Sequence, residues 1–254
     1  NELDGKVDAF GLGGMDLYIY AGERRYTLRD AKAVVKAAKE TPIVDGSGLK
    51  NTLERRVIAY LVENTALLNN KPHVLIMSGA DRFGMAQALD AAGCRITCGD
   101  LVFAVGVPVP LRSLRALDWA ARLFAPLVSQ LPFTMLYPTG KKQEENKPRA
   151  EHLFREADII AGDFHFIRRY MPSLLEGKII ITNTTTADDL QLLRERGVKT
   201  LITTTPELNG RSFGTNVMEA LLVALSGKGR ELEAPEYEKL LAEADFTPRI
   251  TDLR

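Results

Sequence analysis

The stretch Val74-Leu75-Ile76-Met77-Ser78-Gly79-Ala80-Asp81-Arg82-Phe83-Gly84 carries the clearest structural signal in this chain. Its continuous apolar start is typical of a strand that is buried on both faces of a parallel sheet. The glycines mark a turn, and the segment from Phe83 to Ala92 has the apolar spacing of a helix. Gly93 is expected to end that helix as the residue after its C-cap. The sequence therefore predicts a strand, a glycine loop and a helix in succession.

The rest of the chain repeats this alternation of short apolar runs and amphipathic segments. Strands are predicted at Arg95–Cys98, Leu101–Val105, Ile159–Gly162, Lys178–Thr182 and Thr200–Thr203. Long helices are predicted at Leu49–Leu68, Leu114–Val128 and Asn216–Leu225. Alternating strands and helices favour a parallel sheet with helices on both faces. We therefore predict an α/β fold with a Rossmann-like doubly wound parallel sheet.

The break at Asn69-Asn70-Lys71-Pro72 is the predicted domain boundary. It separates a smaller N-terminal α/β domain, residues 1–70, from a dinucleotide-binding domain at 71–227. Charged residues dominate 228–254, which is predicted to be a helical tail. Because the chain begins at Asn1 without a methionine and soon enters a strand, we expect the small domain to be truncated at its start.

Composition restricts the classes of function. The chain has 254 residues with 33 basic and 33 acidic side chains, so its net charge of zero argues against a nucleic-acid or anionic-membrane surface. No apolar run approaches the roughly 20 residues of a membrane span. Cys94 and Cys98 are predicted to be buried and reduced, which favours a cytoplasmic location. No cluster has metal-ligand spacing, so no metal is expected.

The glycine loop reads G-x-D-x-x-G, where a Rossmann loop reads G-x-G-x-x-G/A. Gly79 would make the tight turn, and Gly84 would let the helix pack closely on the strand. The helix N-terminus would hold a pyrophosphate. Asp100 follows Gly79 by 21 residues, near the usual spacing of the carboxylate that binds the adenosine ribose. A carboxylate there repels a 2′-phosphate, so NAD is favoured over NADP as the cofactor.

Asp81 is the departure from this motif, because it adds bulk and negative charge where a glycine normally approaches the pyrophosphate. Arg82 would offset the charge if the cofactor binds here. The alternative is that Asp81 caps the following helix and that the unit binds no cofactor. Both interpretations are compatible with the sequence.

Polar residues follow most of the predicted strands, and the carboxyl ends of parallel strands face one crevice. Asp45, Asp100 and Asp163 lie at such ends. His165, close behind Asp163, is a candidate acid or base. The predicted cofactor-binding residues are Gly79, Ala80, Asp81, Arg82, Phe83, Gly84, Asp100, Thr139, Asp163, Asn183 and Thr184. Solvated loop residues are the alternative interpretation of this polarity.

One arrangement is more specific than the single motifs. The turn Asp45-Gly46-Ser47-Gly48 precedes a long helix, then a strand and the glycine loop at His73 to Gly84. This order resembles the shikimate/quinate 5-dehydrogenase family, and the helix from Gly214 to Gly227 is similar to the helix that closes back on that family's substrate domain. The resemblance implies that Asp45 is a catalytic aspartate working beside a lysine. In that family the lysine lies in a motif like D-G-x-N-V-T-x-P-x-K. The nearest match in this chain, Asp8 to Leu17, lacks the Asn, Thr, Pro and Lys of the motif. Lys50 is therefore the candidate substitute for the lysine.

Two functions are therefore expected. The first is an NAD-dependent oxidoreductase that acts on a hydroxylated carboxylic acid, with Asp45, Lys50 and His165 as catalytic residues and a small molecule as partner. The second is a non-catalytic nucleotide- or metabolite-binding protein on the same fold. The surroundings of Asp45 discriminate them, since an enzyme needs a lysine or histidine within hydrogen-bond reach of its carboxylate. A homodimer is expected from the fold class alone.

Overall fold

The computed structural model describes residues 2–14, 16–21, 24–131, 145–208 and 211–254. The N-terminal part of the chain forms two small sheets and two helices. Its elements are β1 (Phe10–Gly11), β2 (Tyr18–Ala21), β3 (Arg24–Thr27), α1 (Ala31–Ala37), β4 (Ile43–Val44) and α2 (Ser47–Asn64). Strands β1 and β4 pair in parallel, whereas β2 and β3 pair antiparallel.

The elements after α2 alternate in type through most of the chain. They are β5 (His73–Ile76), α3 (Phe83–Ala91), β6 (Arg95–Cys98), a π-helix (Asp100–Val105), α4 (Leu114–Val128), α5 (Glu151–Glu156), β7 (Ile159–Ala161), α6 (Phe164–Tyr170), β8 (Ile179–Thr182), α7 (Ala187–Glu195), β9 (Thr200–Thr203), β10 (Glu207–Leu208), β11 (Arg211–Ser212), α8 (Thr215–Ser226), α9 (Ala234–Glu243) and β12 (Arg249–Asp252).

Within the described residues, six strands form the main sheet in the order β12-β9-β8-β7-β5-β6. All neighbouring pairs are parallel except β12 with β9. The chain runs outward from β5 to β6 and then returns to the other side of β5 with β7. This reversal is the switch point beside which doubly wound sheets bind ligands. The predicted Rossmann-like α/β fold is confirmed.

The sheet is buried on both faces. Along β5, Val74 and Ile76 pack into one apolar cluster with α2 and α3, while Leu75 packs into another with α5 and α6. Successive side chains of a strand point to opposite faces, so a strand with helices on both faces must be apolar throughout. This is why the run at 74–77 reads as uninterrupted Val, Leu, Ile and Met. Cys94 and Cys98 are buried and not joined in a disulfide, as predicted.

Two parts of the chain differ from the prediction. The apolar run Leu101–Val105 belongs to the π-helix, because the pairing of β6 with β5 stops at Cys98. The charged tail contains the helix α9 but also a strand, β12. This strand pairs with β9 along Thr200–Thr203 and covers the edge of the sheet.

Helix α8 returns to the N-terminal part of the chain, where it packs on β1, β4 and α2. The approach is close at Gly46, whose φ is +95° and where an added Cβ would lie 2.7 Å from the Asn216 backbone nitrogen. Glycine is required there by both conformation and space. The contact brings the N-termini of α2 and α8 to the same place. In the described ranges, no helix is long and apolar enough to cross a bilayer.

Candidate functional site

A cavity of about 560 Å³ lies at the carboxyl ends of the parallel strands and reaches the N-terminal unit. Its polar and charged lining includes Asp16, Asp45, Lys50, Asp81, Arg82, Asp100, Asp163, His165, Arg169, Asn183, Thr184 and Asn216. The position agrees with the rule that ligands of doubly wound sheets bind beyond the carboxyl ends of the strands. Catalytic and cofactor-binding candidates that are far apart in sequence therefore share one cavity.

Asp100 holds the glycine loop directly. Its Oδ2 accepts from the Gly79 N–H at 2.9 Å, and its Oδ1 accepts from the Ala80 N–H at 2.8 Å. Burial raises the pKa of the Asp100 carboxyl to about 6, although these N–H donors oppose the rise. A carboxylate offers about four acceptor positions, so two N–H donors leave room for hydroxyl donors from a ligand.

Asp81 does not cap α3. Its carboxylate accepts from Lys50 Nζ, with N–O distances of 2.9 and 3.0 Å. Burial disfavours the Lys50 ammonium, but the charges of Asp81 and Asp16 outweigh it and raise the pKa of Lys50 well above its usual range. The pKa of Asp81 is lowered, because Lys50 and Arg82 together overcome its burial. Lys50 is therefore a permanent cation that is held at the glycine loop.

Arg82 is 2% exposed and Glu54 is 1% exposed, and the two form a buried ion pair. Burial raises the pKa of the Glu54 carboxyl to about 7, against the opposing charge of Arg82. Glu54 was not predicted from the sequence. In the sequence, Glu54 is simply a glutamate next to the apolar stripe of α2, and a glutamate that faces solvent gives the same pattern.

The two glycines of the loop are required by packing. An added Cβ at Gly79 would lie 2.7 Å from Cys98 Sγ and 2.9 Å from Leu117 Cδ2. At Gly84 it would collide with Asn51 of α2, including the Asn51 carbonyl oxygen at 2.8 Å. The predicted close packing at Gly84 is thus between helices α3 and α2, and the prediction of helix on strand was wrong, because α2 lies against this face of α3.

Asp45 is engaged by the backbone around it. Its Oδ2 accepts from the Leu17 N–H, and its Oδ1 accepts from the Ser47 N–H and hydroxyl. Among the described residues, no lysine or histidine side chain lies within hydrogen-bond distance of this carboxylate. The predicted helper Lys50 binds Asp81 instead. The expected contact between Asp45 and a lysine or histidine is therefore not present among the described residues.

The candidates beyond β7 and β8 are arranged as follows. Asp163 caps α6 by accepting from the His165 N–H at 2.9 Å, and its other oxygen accepts from Asn183 Nδ2 at 3.2 Å. Thr184 donates its hydroxyl to the Phe213 carbonyl. His165 is exposed at the start of α6 and lines the cavity. Thr139 lies outside the described residues.

One side of the cavity is apolar, and sequence reasoning did not assign it to the site. It is built by the π-helix and by one face of α4, and its lining includes Leu101, Val105, Leu117, Ala120, Ala121, Phe124, Ala125 and Val128. The small residues in α4 recur at helical spacing, which equally describes a helix packed in a core. Asp100 borders this apolar wall, because the π-helix begins at that residue.

Within the described ranges, no three His, Cys, Asp or Glu side chains are grouped in a way that could hold a metal ion. The described lining of the cavity offers carboxylates, amides, hydroxyls, fixed cations and the His165 imidazole beside an apolar wall.

Fold and cavity together define an α/β protein of the Rossmann-like class. Residues 48–253 match the domain of unknown function DUF8754, and the chain belongs to this family. Residues 1–45 match a second domain of unknown function, DUF8753. The boundary between the two matches, at residues 45–48, falls at the start of α2. No curated protein matches the sequence.

Three solved structures show distant likeness. A K89L mutant of glutamate dehydrogenase is 12% identical with a TM-score of 0.31, over 80% of this chain and 41% of that chain. The present chain thus spans less than half the length of that enzyme. A protein from Mycobacterium smegmatis is 14% identical with a TM-score of 0.33, over 85% of this chain and 73% of that one. A galactofuranose binding protein is 13% identical with a TM-score of 0.33, over 86% and 76%. None of these likenesses is high enough to transfer a function.

Proposed function

We propose that the chain binds a nucleotide of the NAD class in the cavity. The observation that carries this proposal is the contact between an apolar wall and the half-buried Asp100 carboxylate beside the switch point of the sheet. The wall of α4 and the π-helix suits an adenine ring, and Asp100 beside it suits the hydroxyls of the attached ribose. The same carboxylate would repel the 2′-phosphate of NADP.

Asp81 is compatible with such a ligand, because its carboxylate is turned to Lys50 and its charge is neutralised there. The glycine loop is held in shape before a ligand arrives, since Asp100 binds both Gly79 and Ala80. A site that is ordered in advance loses less entropy on binding. The protein's own residues would therefore orient the adenosine half of the ligand.

The experiment is calorimetric titration with NAD, NADP and adenosine at pH 7.5 and at pH 5. We expect NAD to bind more tightly than NADP, and more weakly at pH 5, because Asp100 is then protonated and loses acceptor capacity. Asp100→Asn should weaken NAD binding at least tenfold and flatten the pH dependence. Asp90→Asn, an exposed change on α3, is the matched control. Absence of heat with all three compounds for the folded wild type would refute the proposal.

A second candidate is hydride transfer between NAD and a hydroxylated carboxylic acid, as the resemblance to quinate/shikimate dehydrogenases implies. Its support is that Asp45, Lys50 and His165 all line the cavity that would hold the nucleotide. The nicotinamide would supply the hydride chemistry. Because Asp45 and Lys50 have other partners, His165 is left as the side chain to carry the proton.

Initial rates of NAD reduction with quinate and with shikimate test this second candidate. Turnover that His165→Gln abolishes, with NAD affinity unchanged, would support the oxidoreductase. NAD binding with no turnover on either acid would favour the non-catalytic binding protein for these substrates.

A further inference from the structure

Four charged residues connect α2 to the glycine loop. Lys50 and Glu54 stand one turn apart on α2, and they pair with the consecutive loop residues Asp81 and Arg82. We call these four residues the charge cluster. Lys50, Asp81 and Arg82 line the cavity, so the cluster forms part of its wall. The cluster is a built feature, since its cations are held in place by side chains from a separate element.

Arg82 has more donors than the cluster uses. Its Nη1 binds Glu54, whereas its buried Nε and Nη2 have no hydrogen-bond partner among the described residues. The Asp163 Oδ2 oxygen is 3.9 Å from Nη2, which is too far for a hydrogen bond. Buried guanidinium donors are nearly always satisfied in folded proteins. The unused donors therefore point to an acceptor that the described residues do not supply.

The charges of the cluster favour a negatively charged acceptor. Lys50 and Arg82 both stay cationic, because the pKa of each is raised by neighbouring carboxylates in spite of burial. Burial raises the pKa of Glu54 to about 7. The positive charges of Arg82 and Lys50 oppose this rise, and the negative charge of Asp81 adds to it. Near neutral pH Glu54 is partly protonated, and the cluster then carries an excess positive charge.

The N-terminus of helix α3 adds to this preference for an anion. Helix α3 begins at Phe83 directly after Arg82, and no described side chain caps its N-terminus. The positive end of its dipole and its first N–H groups suit an anion. The N–H groups of Gly79 and Ala80 donate to Asp100 and are therefore not counted among the donors for an anion.

We propose that the charge cluster is an anion subsite in which Lys50 and Arg82 bind a phosphate or carboxylate group of the ligand. The group would accept from the unused Arg82 donors and from Lys50, while Asp81 and Glu54 hold both cations in position. The subsite deepens the proposed function and rests on it for the identity of the whole ligand. Its existence is tested separately, with small anions.

The experiment is calorimetric titration of the full chain with inorganic pyrophosphate, inorganic phosphate and malonate at constant ionic strength in chloride. Lys50→Gln is the main variant, because Asp81 is partly exposed and tolerates losing its partner. Arg82→Lys is the second variant, which keeps the charge and removes the forked donors. Lys36→Gln, an exposed change on α1, is the control.

We expect at least one probe to bind, at least tenfold weaker binding to Lys50→Gln and to Arg82→Lys, and less than a twofold change for Lys36→Gln. Preference for pyrophosphate or phosphate would assign the subsite to a phosphorylated ligand, and preference for malonate to a carboxylate. Binding of no probe, or equal binding by Lys50→Gln and wild type, would overturn the inference. NAD binding without anion binding would overturn the subsite alone, whereas anion binding without NAD binding would overturn the nucleotide proposal alone.

Discussion

Single residues in the glycine loop have roles that depend on their neighbours in space. Gly79 has no room for a side chain because Cys98 and Leu117 close over it. Asp100 serves as a structural anchor of the loop as well as a candidate ligand for a ribose. Asp45, which the family resemblance marked as catalytic, spends both oxygens on Leu17 and Ser47. In each case the residue type predicted where the residue lies, whereas its contacts in the structure determine its role.

Gly79→Ala is expected to destabilise the protein by about 1–3 kcal/mol, because the added methyl would force the loop away from Cys98 and Leu117. Urea unfolding monitored by far-UV circular dichroism measures the loss. Gly13→Ala is the matched control, since its added Cβ would meet only the movable end of Asn216 at 3.2 Å. Equal stability of the two variants would show that Gly79 is not tightly enclosed.

At the scale of elements, helices α2 and α8 are joined through one buried carboxylate. Glu219 of α8 accepts from the backbone N–H groups of Gly46 and Leu49 at the start of α2, and from the Tyr237 hydroxyl of α9 at 2.7 Å. It is 1% exposed. Burial raises the pKa of Glu219 to about 7, and the nearby Asp45 charge adds to the rise. One side chain thus connects three helices.

The Glu219 carboxyl lowers the free energy of unfolding as the pH rises. Folded Glu219 holds its proton more tightly than the unfolded chain, so its contribution is complete below about pH 4.5 and is lost as the pH rises through about 7. We expect Glu219→Gln to flatten the fall in unfolding free energy between pH 5 and pH 8, by at most about 3 kcal/mol. Urea unfolding across this range tests it, with the exposed Glu238→Gln as control. A slope as steep as in wild type would exclude Glu219 as a source.

At the scale of the whole molecule, the end of the chain completes the main sheet. Strand β12 pairs antiparallel with β9, which would otherwise present an open edge. Leu253 follows it and is buried in the apolar cluster that contains Leu201 and Val198. The family match to DUF8754 also extends to residue 253. The charged tail is thus part of the sheet domain at its far end.

Leu253→Ala should lower the unfolding free energy by about 2–4 kcal/mol, because it leaves a cavity in the core beside β9. Ile250→Ala in the adjoining strand β12 is the control, since Ile250 is 40% exposed and its loss should cost less than about 1 kcal/mol. Thermal and urea unfolding of both variants give the comparison. If the two variants were equally stable, β12 would not contribute its core contact in solution.

Local pattern was sufficient for most strands and helices of the sheet domain. The run at 74–77, the helix at 114–128 and the strand at 200–203 were each predicted close to their observed bounds. Leu101–Val105 was not, because a short apolar run is compatible with either a strand or a helix, and here the strand ladder had already ended at Cys98. Strand β12 was missed for a similar reason, since an edge strand with one exposed face has a weak apolar signal.

The sequence by itself determined the Rossmann-like class, the glycine loop and the set of polar strand ends that line the cavity. These depend on spacing along the chain, because parallel strands deliver their carboxyl ends to one edge of a sheet whatever the side chains there do. Only the tertiary structure decided that Lys50 pairs with Asp81 and not with Asp45, that Glu54 meets Arg82, and that α4 supplies the apolar wall. Such contacts join residues that are far apart in sequence. Their energies depend on distance and burial, which no local pattern records.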